Sequence, residues 1–154
     1  DHKLVMDYAG REELILLCGH YEGIDQRALD AVVDETVSIG DYVLTGGELP
    51  ACVLIDSLTR QQPGALGDEN SAKNDSFVDG LLDYPHFTRP AEYLGRAVPA
   101  ELINGNHAVI VDWPRKAALE ATFKHKPYLL EQAPLTQADV EFLTALGWKN
   151  NQQE

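Results

Sequence analysis

The sequence is short of several things, and each shortage removes a class of answer. Only two cysteines occur in 154 residues, Cys18 and Cys52. Both sit in apolar runs without metal-ligand spacing, so they read as small buried hydrophobes in a reducing compartment rather than as a disulfide framework. No apolar run nears the roughly 20 residues a membrane span needs, and no signal peptide is visible. The expected location is therefore cytoplasmic. Basic residues are scarce, 12 Lys and Arg against 25 Asp and Glu, for a net charge of -13. That balance argues against a broad non-specific nucleic-acid surface, though not against a local one. Neither a Gly-x-Gly-x-x-Gly fingerprint nor a Gly-Lys-Ser/Thr phosphate loop occurs, and no His-x-x-x-His or aspartate-rich loop suggests a metal. No internal repeat is present.

What is present is a domain's worth of apolar residues, 44% of the chain, enough to bury a core. Leu4 to Glu13 predicts a short helix. Leu14 to Cys18 is an apolar run stopped by Gly19 and predicts a fully buried strand. Asp25 suits the N-cap of a helix through Val33, with Ala28, Leu29, Val32 and Val33 facing inward. Thr36-Val37-Ser38 predicts a second strand. Pro50 fits the first turn of a third helix carrying Val53, Leu54, Ile55 and Leu58 and ending near Gln62. Strand, helix, strand, helix implies an α/β layer with a parallel sheet. The chain opens on Asp1, and its first predicted strand has no earlier strand to pair with. A preceding part is therefore expected to be missing.

Gly67 to Asn74 is small and polar and reads as a linker. It divides residues 1–66, with four basic and twelve acidic side chains, from residues 67–154, with eight and thirteen. From Asp75 to Gly105 the sequence supports only a short helix and extended segments. Asn106 is a candidate cap for a helix to about Lys126, which Pro114 should kink or split, with Asp112 as a second cap. Thr136 and Asp139 have capping-box spacing before a last helix to Leu146, stopped by Gly147. Residues 75–154 are thus expected to form a small helical domain.

Two glycine-punctuated loops stand out, one from Gly19 to Gly23 and one from Ser38 to Glu48. Such loops let backbone approach a ligand closely, and Tyr21, Ile39, Tyr42, Leu44 and Pro50 offer apolar walls. Spacing alone fits two ordinary tight turns as well. His20, Glu22, Asp25, Asp41 and Glu48 crowd the same loops and read first as caps and solvated carboxylates. Arg60 suits a helix C-terminus or a charge offered to a substrate. Asp75 reads as a cap on a following helix. His86 and Arg89 lie on a proline-stiffened segment. Arg115, Lys116, Lys124 and Lys126 form the one basic cluster.

The motifs Cys18-Gly19-His20-Tyr21-Glu22-Gly23-Ile24-Asp25 and Ser38-Ile39-Gly40-Asp41-Tyr42-Val43-Leu44-Thr45-Gly46-Gly47-Glu48-Leu49-Pro50 resemble the bacterial tRNA (guanine-N1)-methyltransferases of the TrmD type. Ile55 to Arg60, Asp75-Ser76-Phe77, Gly80 to Asp83, Pro85 to Pro90 and Gly105-Asn106-His107 continue the resemblance in order. It implies the SPOUT class, an α/β fold whose S-adenosylmethionine pocket is a deep trefoil knot. This chain would hold the C-terminal half of that domain, in residues 1–66, followed by a helical tRNA-binding domain. Gly19, Tyr21, Glu22 and Gly23 would form one wall of the donor pocket. Ser38, Ile39, Gly40, Tyr42, Leu44, Gly46, Gly47 and Pro50 would form the other.

By the same resemblance Asp75 is the general base and Arg60 a functional cation. Arg60, Ser76, His86, Arg89, Arg115 and Lys116 would contact tRNA. The partners implied are the anticodon arm of tRNA and a second copy in a homodimer that shares the active site. The methylated atom would be N1 of the guanine next to the anticodon. The family's N-terminal half, with its early Pro-x-Gly pocket loop, is absent from this sequence, and the segment after His107 is less basic than is usual. The alternative from another class is a non-catalytic module that binds RNA or protein and dimerises.

Overall fold

The computed structural model describes residues 1–67, 75–103 and 107–149, and the side chains of 107–111 are outside that description. The chain divides into two compact units, Asp1–Ala72 and Lys73–Glu154. Most of the predicted linker, residues 68–74, lies outside the described residues, as does Asn106.

In the first unit Asp1 caps α1 (His2–Ala9) by accepting the Leu4 amide at 2.9 Å. Asp25 caps α2 (Gln26–Val32) through the Arg27 amide, as its short carboxylate and spacing dictate. α3 runs Glu48–Thr59, with Gly47 as N-cap and Pro50 in its first turn. α1 packs on α3, and among the described residues of this unit Tyr8 and Leu54 are the buried hydrophobic ones. The Tyr8 hydroxyl donates to the Glu35 carboxylate, and Arg11 bridges Glu35 at 3.0 Å and Asp7 at 2.7 Å. The Tyr8 hydroxyl, and then the Arg11 guanidinium, hold the Glu35 carboxyl below its usual range.

Three expectations for this unit need correcting. Residues 14–18 and 36–38 form no strand; among the described residues of this unit the only ladder contact is an isolated antiparallel bridge between His20 and Gly46. A strand exists only where its N–H and C=O groups meet a neighbouring ladder, and the one close approach to these runs, Gly47 against Cys18 and Gly19, supplies a single bond rather than a ladder. The parallel sheet is accordingly not present among the described residues. Ile15 is 87% exposed and Leu17 56% exposed, so apolar side chains of the run expected to be a buried strand are uncovered. α2 buries no residue, and its intended inward Val32 is exposed.

The second unit has a true core. Leu81, Ala118, Leu119, Leu130, Leu143 and Trp148 pack together, drawn from α5 (His107–His125), a 3-10 helix (Pro127–Glu131), α6 (Gln137–Ala145) and flanking segments. Thr122 is fully buried and satisfied: its hydroxyl donates to the Ala118 carbonyl at 2.7 Å and accepts the Leu82 amide at 2.9 Å. That bond ties the segment after Leu81 to α5. β1 (Glu92–Tyr93) and β2 (Arg96–Ala97) make a two-residue hairpin, followed by α4 (Ala100–Ile103). The domain is thus helical with one hairpin. Leu94 and Gly95 both take positive φ, the geometry a tight hairpin turn demands. With leucine rather than asparagine before the glycine, the usual turn signal is missing.

Pro114 neither splits nor ends α5, so Asp112 is an exposed helical residue and not a cap. The proline forfeits one backbone hydrogen bond. Ala118, Leu119 and Thr122, buried a turn or two onward, hold the helix in place, and packing outweighs propensity. α6 begins as expected: the Thr136 hydroxyl accepts the Asp139 amide at 3.2 Å while the Asp139 carboxylate accepts the Thr136 amide at 2.9 Å. Gly147 follows with φ +96. No described helix is long and apolar enough to cross a membrane.

Asp139 also meets Arg115 at 2.9 Å, joining α5 to α6. Burial pushes its carboxyl up, but the Arg115 and Thr136 hydrogen bonds outweigh burial and hold it below the usual range. A carboxyl depressed in the folded state adds stability that is present above the unfolded value, about 4, and is lost as pH falls through the folded value. Hydrogen exchange of α5 and α6 amides should therefore show a protection loss below about pH 4 that Asp139→Asn flattens. An unchanged pH profile in that variant would remove Asp139 from the account.

Candidate functional site: a cleft between two glycine loops

The two loops of the first unit come together as one cleft of about 390 Å³. Its first wall is built by a turn in which the Gly23 amide donates to the His20 carbonyl at 3.0 Å. Tyr21 in that turn takes φ +54 and is fully exposed. A left-handed tyrosine is unusual and is held here by the turn around it. Gly23, at φ +109, meets the same demand without strain.

The second wall enters through Ser38, whose hydroxyl accepts the Gly40 amide at 3.2 Å and closes a small turn. The Tyr42 ring then folds back over Gly40, where a Cβ would lie 2.3 Å from the ring. The walls are joined where the Gly47 amide donates to the Gly19 carbonyl at 2.9 Å. A Cβ on Gly47 would stand 2.8 Å from the Cys18 Cα, so only glycine allows this approach. Glu48, the first residue of α3, reaches back to His20, with Oε1 2.8 Å from Nε2. Gly46 lies beneath that pair, where a Cβ would meet the Glu48 carboxylate at 2.5 Å.

All twelve residues expected to hold a donor line this cleft: Gly19, Tyr21, Glu22 and Gly23 on one side, and Ser38, Ile39, Gly40, Tyr42, Leu44, Gly46, Gly47 and Pro50 on the other. His20, Val37 and Thr45 line it too. The sequence marked His20 only as a neighbour, and its place within the first glycine loop was the signal available. Arg60 is not among the lining residues; it is the half-buried C-cap of α3.

The residues expected to meet substrate beyond this unit lie in the second. Asp75 is exposed, and residues 76–79 form turns, so no helix follows for it to cap. The Ser76 hydroxyl accepts the Asp83 amide at 2.8 Å. His86 Nε2 lies 2.7 Å from the Asp83 carboxylate, and Arg89 is exposed. Arg115 is engaged with Asp139 and the Pro134 carbonyl, while Lys116 is exposed.

Comparison with known proteins places the chain in a family. The family described as tRNA (Guanine-1)-methyltransferase TrmD matches residues 1–132. The chain belongs to this family. A protein of Aromatoleum aromaticum named tRNA (guanine-N(1)-)-methyltransferase is 52% identical over 154 residues, all of this chain and 57% of the relative. One of the same name from Herminiimonas arsenicoxydans is 53% identical over 149 residues, 94% of this chain and 60% of the relative. A third, from Geobacter sulfurreducens, is 53% identical over 146 residues, 95% of this chain and 60% of the relative. The chain thus spans about three fifths of the length of the curated relatives it matches.

The close approach at Gly47 yields a direct test. Gly47→Ala should destabilise the first unit by about 1–3 kcal/mol in urea unfolding, because backbone must yield to the new methyl. Gly67→Ala, with nothing within 4 Å of its Cβ position, should be near neutral. Equal midpoints for the two variants would show that the loops do not meet as described.

Proposed function

We propose that this chain carries the donor cleft and the RNA-facing helical part of an S-adenosylmethionine-dependent tRNA (guanine-N1)-methyltransferase. The supporting observation is the convergence of the two glycine loops on one cleft, in a chain that belongs to the TrmD family. The cleft fits such a donor. Its volume lies in the range of small-molecule sites, roughly 300–1,000 Å³. Its glycine backbone offers N–H and C=O groups to a heterocycle, and Ile39, Leu44 and Pro50 give it apolar sides. Glu22 supplies a carboxylate for the donor's polar end.

When bound, the donor supplies an activated methyl on a sulfonium, so the chain's own task is alignment and proton removal. N1 of guanine is protonated at neutral pH and is a poor nucleophile. In this reading Asp75, an exposed carboxylate directly after residue 74, accepts the N1 proton as the methyl arrives. Losing that proton moves negative charge onto O6, and Arg60 offers a cation to it. The ring must leave its stack to be reached, and the guanine next to the anticodon sits in a loop where unstacking is cheap. The trefoil knot, the homodimer with a shared site and the grip on the anticodon arm belong to the same proposal. The uncovered apolar residues of the first unit, Ile15, Leu17 and Val53 among them, support a covering partner.

Two measurements test the reading. S-adenosylmethionine at a hundredfold excess over its dissociation constant should raise the stability of this chain by about 2.7 kcal/mol. No rise in melting temperature at any donor concentration would favour the non-catalytic module. In the full-length context, Asp75→Asn should lower kcat for methylation of a tRNA transcript by about 10²–10⁴-fold and leave donor affinity unchanged. Equal rates would sink Asp75 as the base.

A further inference from the structure

The second unit carries an aromatic cluster at the edge of its core. The segment after Leu81 is pinned: Leu82 donates to Thr122, Asp83 donates to Ser76, and the Asp83 carboxylate accepts the Tyr84 amide at 2.8 Å and meets His86 at 2.7 Å. On this pinned segment Tyr84 lies against the core, with its ring 4.6 Å from His86 and 6.0 Å, nearly perpendicular, from Trp113 of α5. Phe87 also meets Trp113, with ring centroids 6.0 Å apart. The cluster is therefore anchored at Tyr84 and open at its outer end. Phe87 remains 47% exposed and the His86 side chain 67% exposed.

Its charges are sparse and mixed. Arg89, two residues beyond Phe87, and Lys116, nearly one turn past Trp113, are both exposed. The Asp83 carboxylate is engaged with His86, while Asp112 beside Trp113 is exposed and repels phosphate. A surface with one or two cations and one exposed carboxylate cannot hold a duplex backbone by charge. Rings held in place beside a few cations do suit an unpaired base, whose face stacks while its own phosphate meets a cation.

We propose that Phe87, His86 and Trp113 form a stacking platform for an unpaired nucleobase of RNA, with Arg89 and Lys116 receiving the flanking phosphates. This rests on the reading of RNA as the partner, and it names where and how the helical unit takes hold. Stacking carries the affinity and charge only orients the strand. Pinning of the segment by Asp83, Ser76 and Thr122 sets the rings before binding, which spares ordering cost on association.

The chain's two tryptophans allow a direct readout, because Trp148 is buried in the core and Trp148→Phe leaves Trp113 as the reporter. Titrated with an unpaired RNA oligonucleotide, this variant should lose Trp113 fluorescence, and an equal-length RNA duplex should bind far more weakly. Phe87→Ala should weaken single-strand binding by about 5- to 150-fold, the range of one stacked base. Phe87→Tyr should restore it, which separates stacking from misfolding. Lys116→Gln should instead reduce the salt dependence, by about 0.7 in the logarithmic slope.

Equal binding by Phe87→Ala and the parent, or equal binding of single strand and duplex, overturns the platform. Filter binding of whole tRNA distinguishes the failures. If tRNA binds and Phe87→Ala makes no difference, only the platform falls; if no RNA binds, the RNA reading falls and takes the platform with it. Loss of self-association on Phe87→Ala with RNA binding intact would assign the patch to protein contact and overturn the proposal.

Discussion

One close backbone approach organises the first unit. Gly47 comes near enough to Cys18 and Gly19 that no side chain fits between, and the Gly47 amide closes the gap with a hydrogen bond. The His20–Gly46 bridge and the His20–Glu48 pair lie directly beside it. Two loops about 15 residues apart in sequence thereby become two walls of one cleft, without a sheet between them. The start of α3 is fixed by the same contact, since Gly47 is also its N-cap. Small buried area elsewhere in this unit makes the contact matter more, because Tyr8 and Leu54 alone give little hydrophobic stabilisation.

The second unit is held differently. Its stabilisation comes from a continuous apolar core, with polar groups admitted only where both partners are satisfied. Among the described residues Thr122 and Asp139 are the buried polar ones, and each serves two structural segments at once. Such groups cost stability when left unpaired, so their pairing restricts how the helices and the segment after Leu81 are arranged.

Local chemistry was legible in the sequence where a few neighbouring residues decide the outcome. The caps at Asp25 and Thr136, the capping box with Asp139, Pro50 in a first turn and Gly147 as a stop all follow from side-chain reach and φ preference. The two loops were legible as loops through their glycines, while their pairing as two walls came from the family resemblance and not from spacing. Strands were not, because Leu14 to Cys18 has the composition of a buried strand while pairing depends on what lies beside it. Pro114 misled for a related reason: its local cost is real, yet Leu119 and Thr122 outweigh it from the next turns. Neither the His20–Glu48 contact nor the Phe87–Trp113 contact follows a spacing rule, since both are made by the fold bringing separate segments together.

Asp139 closes the capping box of α6 and receives Arg115 from α5 with the same carboxylate. Starting the helix and docking it are therefore a single molecular event. Positions 115, 136 and 139 are thereby coupled through one carboxylate. A change at 139 removes a partner from the Arg115 guanidinium, which keeps the Pro134 carbonyl, and from the Thr136 amide in the same stroke.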